Sequence, residues 1–451
     1  ELGREGVQLV VNLNASPYSR GRRAERLAML RERVRQLDAP VVYANQVGGQ
    51  DELVFDGASL MVAADGSIVA AGAQFAEDLV LADVSVPEER PAKAPVVEIK
   101  SGPARRRPEG RPPPSAPLPP PLDDEAEVYE ALVLGTRDYL EKNGFAGAVV
   151  GLSGGIDSSL VATVAVDAVG PDRVTGLTMP SRYSSQGSRA DAEDLAQRLG
   201  ISLHEVPIEE AHAAFADLLS PVLGSPPSGL VDENLQSRVR GVLLMAFSNA
   251  TGAIVLTTGN KSEMATGYST LYGDSAGGFA VIKDVPKTLV YELCRYRNRR
   301  AEEAGSVGPV PQAVLDKAPS AELRPDQRDD QSLPPYDLLD PVLEAYVERD
   351  RTAAELVADG FDPAVVDRVV RLVDGAEYKR RQMPPGVRIT TKAFGKDRRM
   401  PMTNHYRTAV PNEPAGPGRS PAPAVPPDRA AAGPSAGEGL AAAPTESAAR
   451  G

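Results

Sequence analysis

Cysteine is almost absent from this chain: among 451 residues only Cys294 carries a thiol. A single cysteine excludes an internal disulfide and any cysteine-built metal site. Cys294 stands in a helical stretch with no paired base in view, so it is read as packing rather than nucleophile. Histidine is nearly as scarce. His204, His212 and His405 follow no ligand spacing and are read as structural. No uninterrupted apolar run reaches the roughly 18 residues that would span a bilayer, so no membrane partner is expected. An excess of positive charge is missing too. Lys and Arg number 49 against 62 Asp and Glu, a net charge of −13, which argues against a nucleic-acid partner. What remains is 42% apolar residues, enough for real cores, in a length that suits two or three domains. A soluble cytoplasmic protein fits these absences.

Two segments divide the chain. Residues 101–122 hold nine prolines and the run Arg105-Arg106-Arg107, the composition of a stiff, extended linker. Residues 409–451 are rich in Ala, Pro and Gly and contain no aromatic residue, so they are expected to form a disordered tail. Region one, residues 1–100, reads as strand Val7–Leu13, helix Arg22–Leu37, strand Pro40–Asn45, and strands near 53–55, 59–63 and 67–71. Asp65-Gly66 marks a hairpin between the last two. The chain opens at Glu1 almost directly into an apolar strand, so we expect residues to precede it in the full protein. Region two, residues 123–408, starts with a helix over 124–142 that carries Val128, Leu132, Tyr139 and Leu140 on its buried side and stops at Asn143-Gly144. Strands near 147–152, 173–178, 201–206 and 253–258 then alternate with helices near 158–169, 188–199, 209–219 and 231–250. That alternation predicts a doubly wound α/β fold, a parallel sheet with helices on both faces and ligands at the carboxyl ends of its strands.

One such strand end reads Gly151-Leu152-Ser153-Gly154-Gly155-Ile156-Asp157-Ser158-Ser159. Its glycines let backbone N–H groups close around an anion, and the following helix aims its positive end at the same point. The serines add hydroxyl donors, and Asp157 is suited to a magnesium ion that neutralises phosphate. No Gly-Lys-Ser/Thr ends the loop, so it is not a Walker loop. Its pattern is that of the pyrophosphate loop of enzymes that adenylate a carboxylate or carbonyl with ATP. Arg182 follows the next strand, and Thr258 and Glu263 follow the strand at 253–258. Glu263 would be the second carboxylate for magnesium. The small polar loop 267–279 suits close approach of a ligand, and Lys287 offers a mobile point charge for phosphate. The cations of 377–385 and 395–399 suit a substrate with several phosphates.

Together these pieces resemble the NAD synthetase family. The likeness rests on 153–159, Glu233-Asn234-Leu235-Gln236-Ser237-Arg238, 258–263, 267–279, Lys287, Pro319-Ser320-Ala321-Glu322-Leu323 and 378–385. It implies an adenine nucleotide alpha-hydrolase fold of the PP-loop ATP pyrophosphatase type. It implies further that ATP and deamido-NAD are the substrates, with Mg2+ as cofactor. By residue match, Gly151 to Ser159, Arg182, Thr258, Lys287 and Ser320 would contact ATP. Asn234, Glu263, Tyr268, Ser269, Thr270, Leu271 and Lys379 would contact deamido-NAD, and Asp157 and Glu263 the metal. Region one resembles the end of a glutaminase domain of the nitrilase-like carbon–nitrogen hydrolase fold, through Asn12-Leu13-Asn14-Ala15-Ser16-Pro17-Tyr18 and 43–57. There Ser16 and Arg22 match glutamine-binding positions, but the Glu–Lys–Cys triad of that family would lie upstream. The implied reaction is ATP-dependent amidation of deamido-NAD to NAD, with ammonia taken from glutamine or from solution. A homo-oligomer is expected from the same resemblance. Two rivals stay open: another amidotransferase or adenylase with the same loop, and a nucleotide-binding regulatory protein without catalysis. Intact Asp157, Glu263 and Lys287 count against the second.

Overall fold

Residues 6–88 and 118–403 are described by a computed structural model. His405, the triple arginine, most of the linker and the tail lie outside the described residues. In region one the elements are β1 (Val10–Asn14), α1 (Arg22–Leu37), β2 (Val41–Asn45), β3 (Val47–Gln50), β4 (Leu53–Asp56), β5 (Leu60–Val62) and β6 (Ile68–Ala71). β1, β2, β5 and β6 form a sheet in that order, with the first pair parallel and the others antiparallel. The hairpin at Asp65-Gly66 is present: Gly66 takes φ +86°, and Asp65 Oδ1 accepts the Ser67 N–H at 2.9 Å. α1 lays Leu30 and Val34 on Val41, Tyr43 and Leu60.

β3 and β4 pair as a separate antiparallel hairpin. It packs on α2 (Asp124–Asn143), the helix that opens region two. Two glycines make this contact close. A Cβ on Gly49 would lie 3.2 Å from the Cα of Gly135 on α2. Asp138 Oδ2 accepts the Gly49 N–H at 2.7 Å and fixes the approach. α2 starts where its sequence says it should. The Asp123 side chain caps the Ala126 N–H at 2.8 Å, and Gly144 ends the helix at φ +74°.

After α2 come β7 (Ala148–Gly151), α3 (Ile156–Val169), β8 (Val174–Thr178), α4 (Gln186–Leu199), β9 (Ser202–Glu205), α5 (Glu209–Leu223), α6 (Leu230–Thr251), β10 (Ile254–Thr257), α7 (Lys261–Thr266), β11 (Phe279–Ala280) and α8 (Lys287–Glu303). The five strands form one sheet in the order β11-β10-β7-β8-β9, parallel throughout. Alternate side chains serve opposite faces. Ala148, Val150, Ile254 and Leu256 face the core made with α2, α3 and α8, while Val149, Leu177 and Val255 face Val239 of α6. The chain winds from β7 outward through β8 and β9, then returns to the other side of β7 at β10. The carboxyl ends of β7 and β10 therefore meet at the switch in winding direction, where open α/β sheets bind ligands. Helices over 336–343, 353–358 and 363–375 bury a further apolar cluster that includes Ala265 of α7.

Candidate active site

The loop after β7 is shaped by its glycines and braced by its serines. Gly154 holds φ +74°, and a Cβ there would lie 2.1 Å from the backbone oxygen of Ser188 on α4. Gly155 precedes α3 in extended conformation with its own N–H bonded to Ser153 Oγ at 3.2 Å. Ser158 and Ser159 were expected to offer hydroxyls to phosphate. In the folded chain both donate to the Gly155 carbonyl, at 3.0 and 2.9 Å. They hold the loop in shape, which leaves the amides and the amino end of α3 to meet an anion.

Asp157, Asn260, Glu263 and Lys287 converge on this loop from three helix starts. Asn260 caps α7 in a reciprocal box with Glu263, and its Nδ2 donates to Asp157 Oδ1 at 2.9 Å. Lys287 Nζ donates to Asp157 Oδ2 and stands 3.7 Å from Glu263. The lysine is therefore not the mobile charge expected from sequence. It is 2% exposed and lies against two carboxylates. Burial works against its charge, and Asp157 and Glu263 outweigh this and raise its pKa. Burial, then the charge of Asp157, pushes the Glu263 carboxyl upward. Asp157 and Glu263 are hard oxygen donors of the kind Mg2+ takes. Among the described residues no group of three or more His, Cys, Asp or Glu is arranged to hold a metal unaided.

Asp157, Glu263 and Lys287 line one cavity of about 270 Å³ together with the loop. Gly151, Leu152, Ser153, Gly154, Gly155, Ile156, Asp157, Ser158, Thr258, Glu263, Tyr268, Lys287 and Ser320 all contribute to its wall. The wall also holds residues the sequence reading passed over. Asp274 lines the cavity as an exposed residue whose Oδ1 accepts the Thr270 N–H at 2.7 Å, and the protein atoms packed around it push its carboxyl up to about 6. Half-buried Arg240 donates to the Met179 carbonyl at 2.9 Å. Lys317 reaches the Gly154 carbonyl at 3.2 Å. Asp274 lies inside the glycine-rich loop that drew attention as a whole. Arg240 and Lys317 stand in no motif and carried no signal.

The other expected contacts fall elsewhere. Asn234, Ser269, Thr270 and Lys379 form a group beside the cavity. Asn234 Oδ1 accepts the Thr270 hydroxyl at 2.7 Å, and Lys379 donates to the Gly267 and Ser269 carbonyls at 2.7 and 2.9 Å. Leu271 continues the same loop, and its carbonyl accepts Arg238 Nε at 3.2 Å. Arg182 is exposed and paired with Glu209, away from the cavity wall. The cations of 377–385 and 395–399 were expected to face phosphate, but Arg381 pairs with Glu377 and two others hold main chain. Arg380 is buried and donates to the Ala265 and Val373 carbonyls, and Arg398 donates to that of Tyr346. In region one Ser16 lies against buried Arg26, whereas Arg22 is exposed and pairs with Glu25 at 2.8 Å. Cys294 is fully buried and its thiol pKa is driven up by that burial, as packing requires. His212 is buried 2.9 Å from Asp232, and His204 lies beside the Phe247 ring.

Comparison with known proteins shows the family. Residues 128–384 match the model of the NAD synthase family, and residues 1–94 that of the carbon-nitrogen hydrolase family. The chain is 45% identical over 407 residues to a glutamine-dependent NAD(+) synthetase of Acinetobacter baylyi, covering 90% of this chain and 70% of that protein. It is 44% identical over 417 residues to the enzyme of the same name from Thermotoga maritima, covering 89% and 71%. Among solved structures, the glutamine-dependent NAD+ synthetase of Acinetobacter baumannii in complex with ADP aligns at TM-score 0.62 and 41% identity, over 90% of this chain and 70% of that one. The synthetase of Cytophaga hutchinsonii, at 20% identity and TM-score 0.70 over 89% and 70%, shares the fold. With a pyrophosphate-type loop at the switch point of its parallel sheet and this likeness along nine-tenths of its length, the chain belongs to the family of glutamine-dependent NAD(+) synthetases.

Proposed function

We propose that the cavity at the ends of β7 and β10 binds ATP and that the adjoining 268–274 loop presents deamido-NAD to it for amidation. One observation carries this reading. The glycine loop, Asp157, Glu263 and Lys287 meet on one wall of a single cavity that continues to Tyr268 and Asp274. The carboxylate of the nicotinate ring attacks the α-phosphorus of ATP and pyrophosphate leaves. Ammonia then adds to the adenylated carbonyl, and AMP departs. Both partners of the first step are anionic, so the site must lower their repulsion. The loop amides and the amino end of α3 hold the phosphates, and Lys287 supplies a fixed positive charge beside them. Bound through Asp157 and Glu263, Mg2+ would neutralise further phosphate charge. No side chain has to act as nucleophile.

The nitrogen enters as ammonia. The one cysteine of the chain is buried in α8, so region one as given holds no thiol for glutamine hydrolysis, and assays of this chain should supply ammonium. With ATP, magnesium, ammonium and deamido-NAD, NAD should form together with equimolar AMP and pyrophosphate. Unconverted deamido-NAD, or ADP in place of AMP, overturns the reading.

We also read the protein as a homo-oligomer in the cytoplasm, where its nucleotide substrates are made and used. α5 and α6 expose Leu218, Val222, Leu223, Val231 and Val242, an apolar patch of the kind that marks an interface. Light scattering of the wild type and of Leu218→Asp/Val222→Asp checks this: a monomeric wild type removes it.

A further inference from the structure

The site described above leaves one strongly built feature unused. Lys261 follows Asn260 at the start of α7, yet its side chain points away from the cavity and is only 2% exposed. Its ammonium lies 2.9 Å from Asp284, 2.7 Å from Glu348 and 3.1 Å from Thr390 Oγ1. Burial opposes its charge, and Asp284 and Glu348 override that and keep it protonated. Asp284 is buried as well. An ion pair this dry is a poor device for stability alone, since apolar residues of similar volume commonly do as well. It is a good device for fixing direction, because one ammonium must satisfy several acceptors at once.

What it fixes is the start of α8. Asp284 stands three residues before Lys287, and the Lys261 N–H donates to the Val285 carbonyl at 2.8 Å between them. A second clamp works in parallel. The Lys287 N–H donates to Ser262 Oγ at 2.9 Å, Ser262 Oγ donates to Asp340 at 2.5 Å, and Asp340 accepts the Thr288 N–H at 2.9 Å. Two consecutive residues of α7, Lys261 and Ser262, thus pin the amino end of α8 to the amino end of α7. Those ends carry Lys287 on one side and Asn260 and Glu263 on the other. The same clamp reaches region one. Asp284 Oδ2 accepts the Ile389 and Thr390 N–H groups at 2.9 and 2.8 Å, and the Ile389 carbonyl accepts the Arg20 N–H at 2.9 Å.

We propose that Lys261 is a positioning residue: by clamping Asp284 and Glu348 it sets the distance of Lys287 from Asp157 and Glu263, and so the phosphate-binding charge of the site. The proposal rests on the reading of Lys287 as a phosphate-binding cation. It is tested by a double-mutant cycle between Lys261→Met and Lys287→Ala, with turnover on ammonium and the dissociation constant of magnesium ATP as readouts. Thermal melting of each protein checks folding. Lys261→Met should lower turnover and weaken magnesium ATP binding by about 10- to 100-fold, the range found when the supports of site ligands are removed. In the Lys287→Ala background the same change should cost less than about twofold, because independent sites multiply their losses and coupled ones do not. Losses that multiply overturn the proposal and leave the reading of Lys287 standing. Full turnover in Lys287→Ala overturns both. If Lys261→Met does not fold, Glu348→Gln replaces it in the cycle. That change keeps the shape and removes one charge, and a severalfold loss that vanishes beside Lys287→Ala is expected. Wild-type turnover in folded Lys261→Met or Glu348→Gln also overturns it.

Discussion

Gly154→Ala tests whether the loop after β7 is the nucleotide cradle. The added Cβ would lie 2.1 Å from the carbonyl oxygen of Ser188, 2.7 Å from its carbon and 2.8 Å from its Cα. All three are backbone atoms, so no side chain can swing aside. Carbon and oxygen in ordinary contact stand well over 3 Å apart, so the loop or α4 must retreat by about 1 Å. A displacement of that size in a reacting geometry costs on the order of 100-fold in rate, about 2.7 kcal/mol. The left-handed backbone adds about 1–2 kcal/mol of strain for any residue with a Cβ. Gly144 separates the two effects. It holds the same φ of +74° at the end of α2, but a Cβ there meets nothing within 4 Å. Both alanine variants should lose stability in urea unfolding, Gly154→Ala the more because of its clash, and only Gly154→Ala should lose turnover in an ammonium-driven assay of NAD formation. If its turnover stays within about twofold of Gly144→Ala, the cradle argument is wrong.

Three further outcomes are expected. Removal of divalent metal with a chelator should abolish turnover and leave the unfolding midpoint within experimental scatter, since the carboxylates near the loop are already bridged by Lys287 and Asn260; a metal-free enzyme at full rate refutes the magnesium assignment. Asp56 is fully buried and pairs with Arg26 at 2.7 Å, so Asp56→Ala leaves a buried guanidinium without its counter-charge and should cost about 3–5 kcal/mol in unfolding, against under about 1 kcal/mol for the exposed Arg22–Glu25 pair. The Asp274 carboxyl, raised from 3.8 to about 6 in the folded state, binds its proton more tightly than the unfolded chain does. Its contribution to stability is therefore present at low pH and declines as pH rises through about 6, so Asp274→Asn should flatten the wild-type loss of unfolding free energy across that window, and an unchanged slope contradicts the assignment.

Where the chain carries strong local signals, its sequence and its fold agree. α2 begins at the capping Asp123 and stops at Gly144, and β7 and α3 flank the loop that periodicity and glycine placement had marked. β3 escaped notice because two of its four residues are glycine, whose role is a close approach to α2 that only packing creates. β11 is two residues long and exists only because β10 offers it an edge. The basic stretch around 380 looked like a phosphate patch because charge is legible in a sequence and its partner is not. Arg380 turns inward to main-chain carbonyls that are more than a hundred residues away in one case.

The sequence by itself offered a chemistry: a glycine loop suited to phosphate, two carboxylates suited to a divalent ion, and one thiol without a paired base. Local spacing suffices for this, because capping, turn geometry and backbone reach act over a few residues. Tertiary structure decided which charges neutralise each other. Asp157 and Lys287 are 130 residues apart along the chain, and only the return of β10 beside β7 brings their helix starts together. That meeting turned a lysine legible as a free charge into a buried, fixed one. The reason is physical: Coulomb attraction in a dry site depends on distance through space, which the order of residues does not contain.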